Sequence, residues 1–228
     1  YEISTRDWSS DVCSSDLSPR LSHEQNALVE TLAIGCHAID RAAPTPAETV
    51  VIVGAGPIGL SALEFAKLSG ARPVVMDMVA SRLEFVRERM GVGDTVLAKG
   101  DASDEEAIRR LTDGRMADVI VDATGSHASM SAALGLCGYG GRLVYVGITQ
   151  QNLSFPHAPV MHRRELTLLA SRNALSRDFA RIVALIETDR IDTRPWITHR
   201  IPFAATIDRF PALLEPASGV IKAVVELP

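Results

Sequence analysis

A chain of 228 residues, 46% hydrophobic and 22% charged, is long enough for one well-filled core and a second, smaller unit. Its net charge of −5 argues against a nucleic-acid partner held through phosphate contacts, and no apolar run approaches the roughly 18 residues that span a bilayer. Neither a secretory leader nor a disulfide or C-x-x-C zinc framework is expected, because no basic stretch leads into an apolar one and Cys13, Cys36 and Cys137 are scattered; the expected setting is reducing and cytoplasmic.

Residues 1–17, YEISTRDWSSDVCSSDL, show neither helical nor strand periodicity. They resemble the in-frame translation of a short-read sequencing adapter, most clearly over DWSSDVCSSDL. They are expected to be disordered and to lie outside the fold, with the natural protein beginning upstream. Ala27, Leu28, Leu32, Ala33, Ile34, Cys36, Ala38 and Ile39 then mark a mostly apolar helix over 22–41, within a linker expected at 18–41. Pro44 and Pro46 make 42–48 a loop. Strands are predicted at 49–53, 73–77, 94–98, 117–122, 141–146 and 166–171, with helices at 58–69, 80–90, 103–112, 127–137 and 157–164. This alternation predicts an α/β domain over 42–172, a doubly wound parallel sheet with right-handed crossovers. VVIV and DVIVD are near-continuous apolar runs, as strands buried on both faces require. The remaining segment, 173–228, reads as helix 177–187, strand 197–201, helix 204–214 and strand 221–227, and is expected not to extend the sheet.

VVIVGAGPIG holds the G-x-G-x-x-G pattern as Gly54, Gly56 and Gly59, between an apolar strand and a helix. Gly54 permits the tight turn, Gly56 lets the backbone approach a pyrophosphate, and Gly59 lets helix and strand pack closely. Pro57 suits the first helical turn, and the helix N-terminus offers unpaired N–H groups to an anion. Asp77 ends the next strand, where a carboxylate accepts hydrogen bonds from ribose hydroxyls and repels a 2′-phosphate. NAD is therefore expected over NADP, with Arg82 placed to lie along the adenosine. Leu60 stands where a Walker A loop needs Lys, and Tyr139 and Tyr145 have no Lys four residues on, which removes two rival nucleotide-binding readings.

With these motifs in place, the stretches ALVETLAIGCHAIDRA, ETVVIVGAGPIGL, VDATG, GGRLVYVGI and LTLLASRN resemble the medium-chain, zinc-type alcohol and polyol dehydrogenases, in particular the sorbitol, L-threonine and sugar-acid branch. The resemblance implies a Rossmann sheet of order 3-2-1-4-5-6, followed by the C-terminal remnant of a GroES-like catalytic domain that is otherwise missing. It implies hydride transfer between NAD and a small-molecule alcohol, polyol or sugar acid, with zinc in the full-length protein polarising the alcohol oxygen. It also implies a homo-dimer or homo-tetramer at full length. Neither zinc ligands nor catalytic residues are expected in this fragment, which should be inactive alone. Ser22-His23-Glu24 mimics a Gly-His-Glu zinc motif at the wrong place in the chain.

By the same resemblance Ile58 touches the cofactor beside the glycines, and Val146, Gly147 and Ile148 line the nicotinamide. Ser171, Arg172 and Asn173 close on the nicotinamide ribose and the substrate, where Arg172 can grip a carboxylate bidentately. Glu30 approaches zinc or substrate, although Thr31 follows it where the family has Pro. Cys36 and His37 read as packing residues, and His127, His157, His162 and His199 lack metal-like spacing. Asp122 and Thr124 end their strand at the edge where ligands bind and can touch the cofactor, or Asp122 can simply shape the turn. Two other functions are weighed. A zinc-independent quinone or enoyl reductase of the same superfamily would usually prefer NADPH, which Asp77 opposes. A non-catalytic dinucleotide sensor would have no need of the segment after Ser171.

Overall fold

The computed structural model describes residues 18–215 and 218–227; the adapter-like segment and Cys13 lie outside them. The chain divides into two compact units, one spanning Ile34–Arg172 and the other formed by the segments up to Ala33 and from Asn173 onward. Helix α1 (His23–Ala42) runs through the division.

In the Ile34–Arg172 unit six parallel strands form one sheet: β1 (Thr49–Val53), β2 (Arg72–Asp77), β3 (Thr95–Leu97), β4 (Ala117–Asp122), β5 (Cys137–Tyr145) and β6 (Thr167–Ala170). Their order is β3-β2-β1-β4-β5-β6, as the resemblance implied. Helices α2 (Pro57–Leu68), α3 (Ala80–Met90), α4 (Ala102–Leu111) and α5 (His127–Ala132) supply crossovers. β1 is buried at all five positions, as its unbroken apolar run requires. The strand order reverses between β1 and β4, so the loops after these strands diverge and open a crevice at the sheet's C-terminal edge.

Two contacts fix how the layers close. A side chain at Gly35 of α1 would meet Ser61 Oγ at 2.1 Å, and Gly35 N–H donates to that hydroxyl at 3.1 Å, so α1 packs backbone-close on α2. Arg142 on β5 reaches back to the loop before β1, donating to both Glu48 carboxylate oxygens at 2.9 Å and to the Ala42 carbonyl at 2.8 Å. The same Arg142 hydrogen bonds hold the Glu48 carboxyl below its ordinary range.

The largest departure from the sequence expectation lies at 127–146. The helix predicted over 127–137 ends at Ala132, a 3₁₀ turn covers Ala133–Leu136, and the strand predicted at 141 starts at Cys137. CGYGG carries no strand signature, because glycine is depleted in strands and reads as a turn. Here glycine is what the strand entry needs: a side chain at Gly138 would lie 2.4 Å from the Arg115 carbonyl, and Gly140 sits at φ +69°. The pairing with β4 shifts register between Ala117 and Val119 to absorb the irregularity. The helix expected over 157–164 is a π-helical turn at His157–His162.

The other unit contains α6 (Ser176–Glu187), β7 (Ile197–Pro202), α7 (Thr206–Leu213) and β8 (Lys222–Glu226). β7 and β8 pair in parallel as a separate two-stranded sheet, so this segment does not extend the larger one. Trp196, Ile182 and Ile201 are buried here. Arg200 grips Glu24 through Nε at 2.6 Å and Nη2 at 2.8 Å, and Lys222 Nζ donates to Thr31 Oγ1 at 3.1 Å. Phe203, Ile207, Phe210 and Leu214 follow helical spacing, yet all are more than half exposed. Among the described residues no helix is long and apolar enough to cross a membrane.

Candidate dinucleotide site

The glycine turn joins β1 to α2 at the C-terminal edge of the sheet. Gly54 adopts φ +100°, a conformation that disfavours any side chain. A Cβ on Gly59 would fall 1.7 Å from the Gly54 carbonyl oxygen, so helix and turn touch through bare backbone. A Cβ on Gly56 would meet nothing within 4 Å, which leaves the turn open on its outer side. Pro57 is the first residue of α2 and has no N–H to satisfy, while the amides of Ile58 and Gly59 have no acceptor inside the helix. The three glycines therefore divide their labour: one bends, one packs, one stays clear.

Asp77 ends β2 one strand away, only 7% exposed. Its Oδ2 accepts from Ala55 N–H at 2.6 Å, inside the glycine turn, and its Oδ1 accepts from Val79 N–H at 2.7 Å. The carboxylate therefore clasps the glycine turn, a role that its place in the sequence did not announce. Each oxygen keeps a further lone pair for an incoming hydroxyl. Arg82 on α3 brings Nη1 to 3.7 Å from Asp77 Oδ2, which places its guanidinium beside the same carboxylate.

Across the crevice the loops after β4 and β5 are held by Asp122, which is fully buried. Oδ1 accepts from Thr124 N–H at 2.9 Å and Thr124 Oγ1–H at 2.7 Å, and Oδ2 accepts from Ser129 Oγ at 2.7 Å. The Asp122 backbone carbonyl accepts from Val146 N–H at 2.9 Å and Gly147 N–H at 3.0 Å. A side chain on Gly147 would lie 2.3 Å from Gly125 N, so the two loops meet backbone to backbone. Asp122 thus shapes the turn, with Thr124 bonded to it. Ile148, 79% exposed, stands at the rim. Tyr145 Oη donates to the Met130 carbonyl at 2.7 Å, and burial, then the Asp122 charge, push its phenol up to about 12. Neither Ser129 nor Tyr145 carried a signal in the sequence. For Asp122 the D-x-T spacing, which suits an Asx-type turn, was the available one.

Ser171 follows β6 with its N–H donated to the Tyr145 carbonyl at 2.9 Å. Its Oγ is buried without a hydrogen-bond partner among the described residues. Arg172, exposed, ends this unit. Glu30 and Asn173 belong to the other unit. Glu30 is exposed on α1, and Asn173 takes φ +53°, a left-handed conformation that Asn tolerates. Glu24, the carboxylate of the zinc-like triplet, accepts from Arg200 through both of its oxygens.

The chain is 38% identical over 200 residues to L-galactonate-5-dehydrogenase of Escherichia coli (strain K12), covering 87% of this chain and 58% of that protein. It is 32% identical over 196 residues to sorbitol dehydrogenase of Gallus gallus, covering 85% of this chain and 54% of the relative. The chain therefore spans less than two thirds of the length of these relatives. Among solved structures, an oxidoreductase/dehydrogenase of unknown specificity from Escherichia coli superposes with a TM-score of 0.85 at 24% identity, covering 93% of this chain and 60% of that one, a likeness of fold. The model of the zinc-binding dehydrogenase family matches residues 57–188, from the first turn of α2 through α6, and the chain belongs to that family.

Proposed function

We propose that this chain is the dinucleotide-binding part of an NAD-dependent dehydrogenase acting on a polyol, a secondary alcohol or a sugar acid. Its catalytic zinc is held by sequence outside these residues. The observation that carries the reading is the joint geometry of the open turn at Gly56 and the Asp77 carboxylate bonded to Ala55 within it. An anion approaching Gly56 meets unpaired amides at a helix N-terminus, while a ribose beside it meets a carboxylate.

In this reading Gly54, Gly56, Pro57, Ile58 and Gly59 hold the diphosphate, and Asp77 accepts the adenosine ribose hydroxyls with Arg82 alongside. Val146, Gly147 and Ile148 line the nicotinamide, and the unpartnered Ser171 Oγ bonds its ribose. Arg172, Asn173 and Glu30 face the substrate. When bound, NAD supplies the hydride acceptor; the protein's part is to orient it and to exclude NADP. Residues 42–172 then form the NAD-binding domain and 18–41 the linker. The segment 173–228 packs on the catalytic domain, and the exposed apolar residues along and beside α7 suit such a cover. The substrate class follows the relatives, which by their names act on a sugar acid and a polyol. Full-length protein is a homo-dimer or homo-tetramer in this reading. Cys36 and Cys137 are buried and form no disulfide among the described residues, in keeping with a reducing, cytoplasmic setting.

Calorimetric titration of the 228-residue chain with NAD and NADP tests the proposal. NAD is expected to bind, with NADP roughly 100-fold weaker. That ratio corresponds to about 3 kcal/mol for a carboxylate and a phosphate charge roughly 5 Å apart at an effective dielectric near 20. Equal affinities, or binding of neither, overturn it.

A further inference from the structure

The opposite edge of the six-stranded sheet carries a second concavity. β4 and β5 start there, at Ala117 and Cys137, and finish beside the dinucleotide crevice. β4 has six residues, so the two edges lie roughly 20 Å apart at about 3.3 Å per residue. A cavity of about 270 Å³ opens at the starting edge, its wall bearing Arg109, Arg115, Arg163, Arg164 and Tyr139. Among the described residues that line it there is no carboxylate.

The four guanidinium groups are not equivalent. Arg109 is neutralised by Glu105 at 2.8 Å and Glu106 at 3.7 Å. Arg164 donates Nη1 to the carbonyls of Gly135 at 3.0 Å and Cys137 at 2.8 Å, which pins the group but leaves its charge uncompensated. That charge is felt at the Cys137 thiol, where it pulls against the burial that raises the group. The side chains of Arg115 and Arg163 have neither an ion pair nor a hydrogen bond among the described residues. Three guanidinium groups thus line one concavity with no carboxylate within ion-pair distance of them among the described residues, in a chain whose net charge is −5.

We infer that this cavity is a second ligand site, for a small phosphomonoester whose phosphate sits among Arg115, Arg163 and Arg164. A phosphate monoester carries about −1.5 to −2 charges and three acceptor oxygens near neutral pH, matching two to three free guanidinium groups better than a single carboxylate does. The volume equals that of roughly nine waters, room for a ligand of about ten non-hydrogen atoms. The site is independent of the dinucleotide reading, because none of its lining residues belongs to the crevice.

Titration of the 228-residue chain with glycerol 3-phosphate tests it, with glycerol as the uncharged control. Saturable one-to-one binding is expected, absent with glycerol. Arg115→Ala/Arg163→Ala should weaken it roughly 100-fold, about tenfold for each charged hydrogen-bond donor lost. Arg115→Lys/Arg163→Lys should fall between, keeping the charge but not the fork. Both arginines are exposed, so the folded state should survive, as circular dichroism would verify. Gly56→Ala, in the other crevice, should leave the affinity unchanged. The inference is overturned if the parent chain shows no saturable binding. It is equally overturned if the double alanine variant binds as well as the parent, or if Gly56→Ala abolishes binding.

Discussion

Asp77→Ala removes two buried hydrogen-bond acceptors and one ion pair in a single step. The Ala55 and Val79 amides, bonded at 2.6 and 2.7 Å, are left without partners. Each such orphan costs about 1–3 kcal/mol, so the folded state should lose roughly 2–6 kcal/mol, toward the lower end if water enters the vacated space. The Arg82 pair adds little, since Arg82 is 38% exposed and the pair is long at 3.7 Å. A loss near 3 kcal/mol lowers the thermal midpoint by about 6–12 °C for a chain of this size. Binding changes in the same variant: the repulsion that disfavours a 2′-phosphate disappears, while Arg82 remains beside the site with its charge unopposed. The roughly 100-fold preference for NAD should therefore collapse and lean toward NADP. Urea unfolding gives the first quantity and paired NAD and NADP titrations the second. Asp77→Asn, which keeps one acceptor, should lose only about 1–2 kcal/mol. An Asp77→Ala protein with the parent's urea midpoint and the parent's cofactor ratio would refute both halves of the argument.

Other outcomes follow from the same geometry. Gly59→Ala places a methyl 1.7 Å from the Gly54 carbonyl and should abolish folding of the turn, seen as lost NAD binding with a lowered thermal midpoint. Gly56→Ala meets open space, so its stability should change by less than about 0.5 kcal/mol while NAD affinity falls, because the methyl stands where the diphosphate approaches. Asp122→Ala strips three donors of a fully buried acceptor and should cost roughly 2–4 kcal/mol in urea unfolding; Asp122→Asn, which retains an acceptor oxygen, should cost less. Alkaline pH should destabilise the fold. Burial holds the Cys137 thiol at about 12 against an ordinary 9.0, and the Tyr145 phenol at about 12 against 10.0. The unfolded chain therefore loses these protons first, and stability that is full below pH 9 drains away as the pH rises from 9 toward 12. Unfolding free energies across that window check the sign, and Cys137→Ala should flatten its lower part.

The order of elements was legible wherever burial on both faces wrote itself as an unbroken apolar run, as in VVIV and DVIVD. The 137–140 stretch was not, because Gly138 serves a close approach to the Arg115 carbonyl that exists only after β4 and β5 are paired. The same limit applies to the site. Gly54, Gly56 and Gly59 announced their roles through spacing, since a turn, a clearance and a helix–strand contact are all local to one βα unit. Asp77's bond to Ala55 joins residues 22 apart, and Ser129's bond to Asp122 depends on how α5 leaves its strand.

By itself, then, the sequence determined what depends on periodicity and on residue chemistry at fixed spacing: a parallel α/β sheet, a glycine turn at a helix N-terminus, and a carboxylate at the end of the second strand. Tertiary structure alone decided which polar groups each carboxylate satisfies. It also decided where the irregular strand entry falls, and that Arg115, Arg163 and Arg164 share one cavity. The physical reason is that a hydrogen bond or a charge cluster is set by distances in space. Residues far apart in the chain acquire those distances only when the sheet assembles.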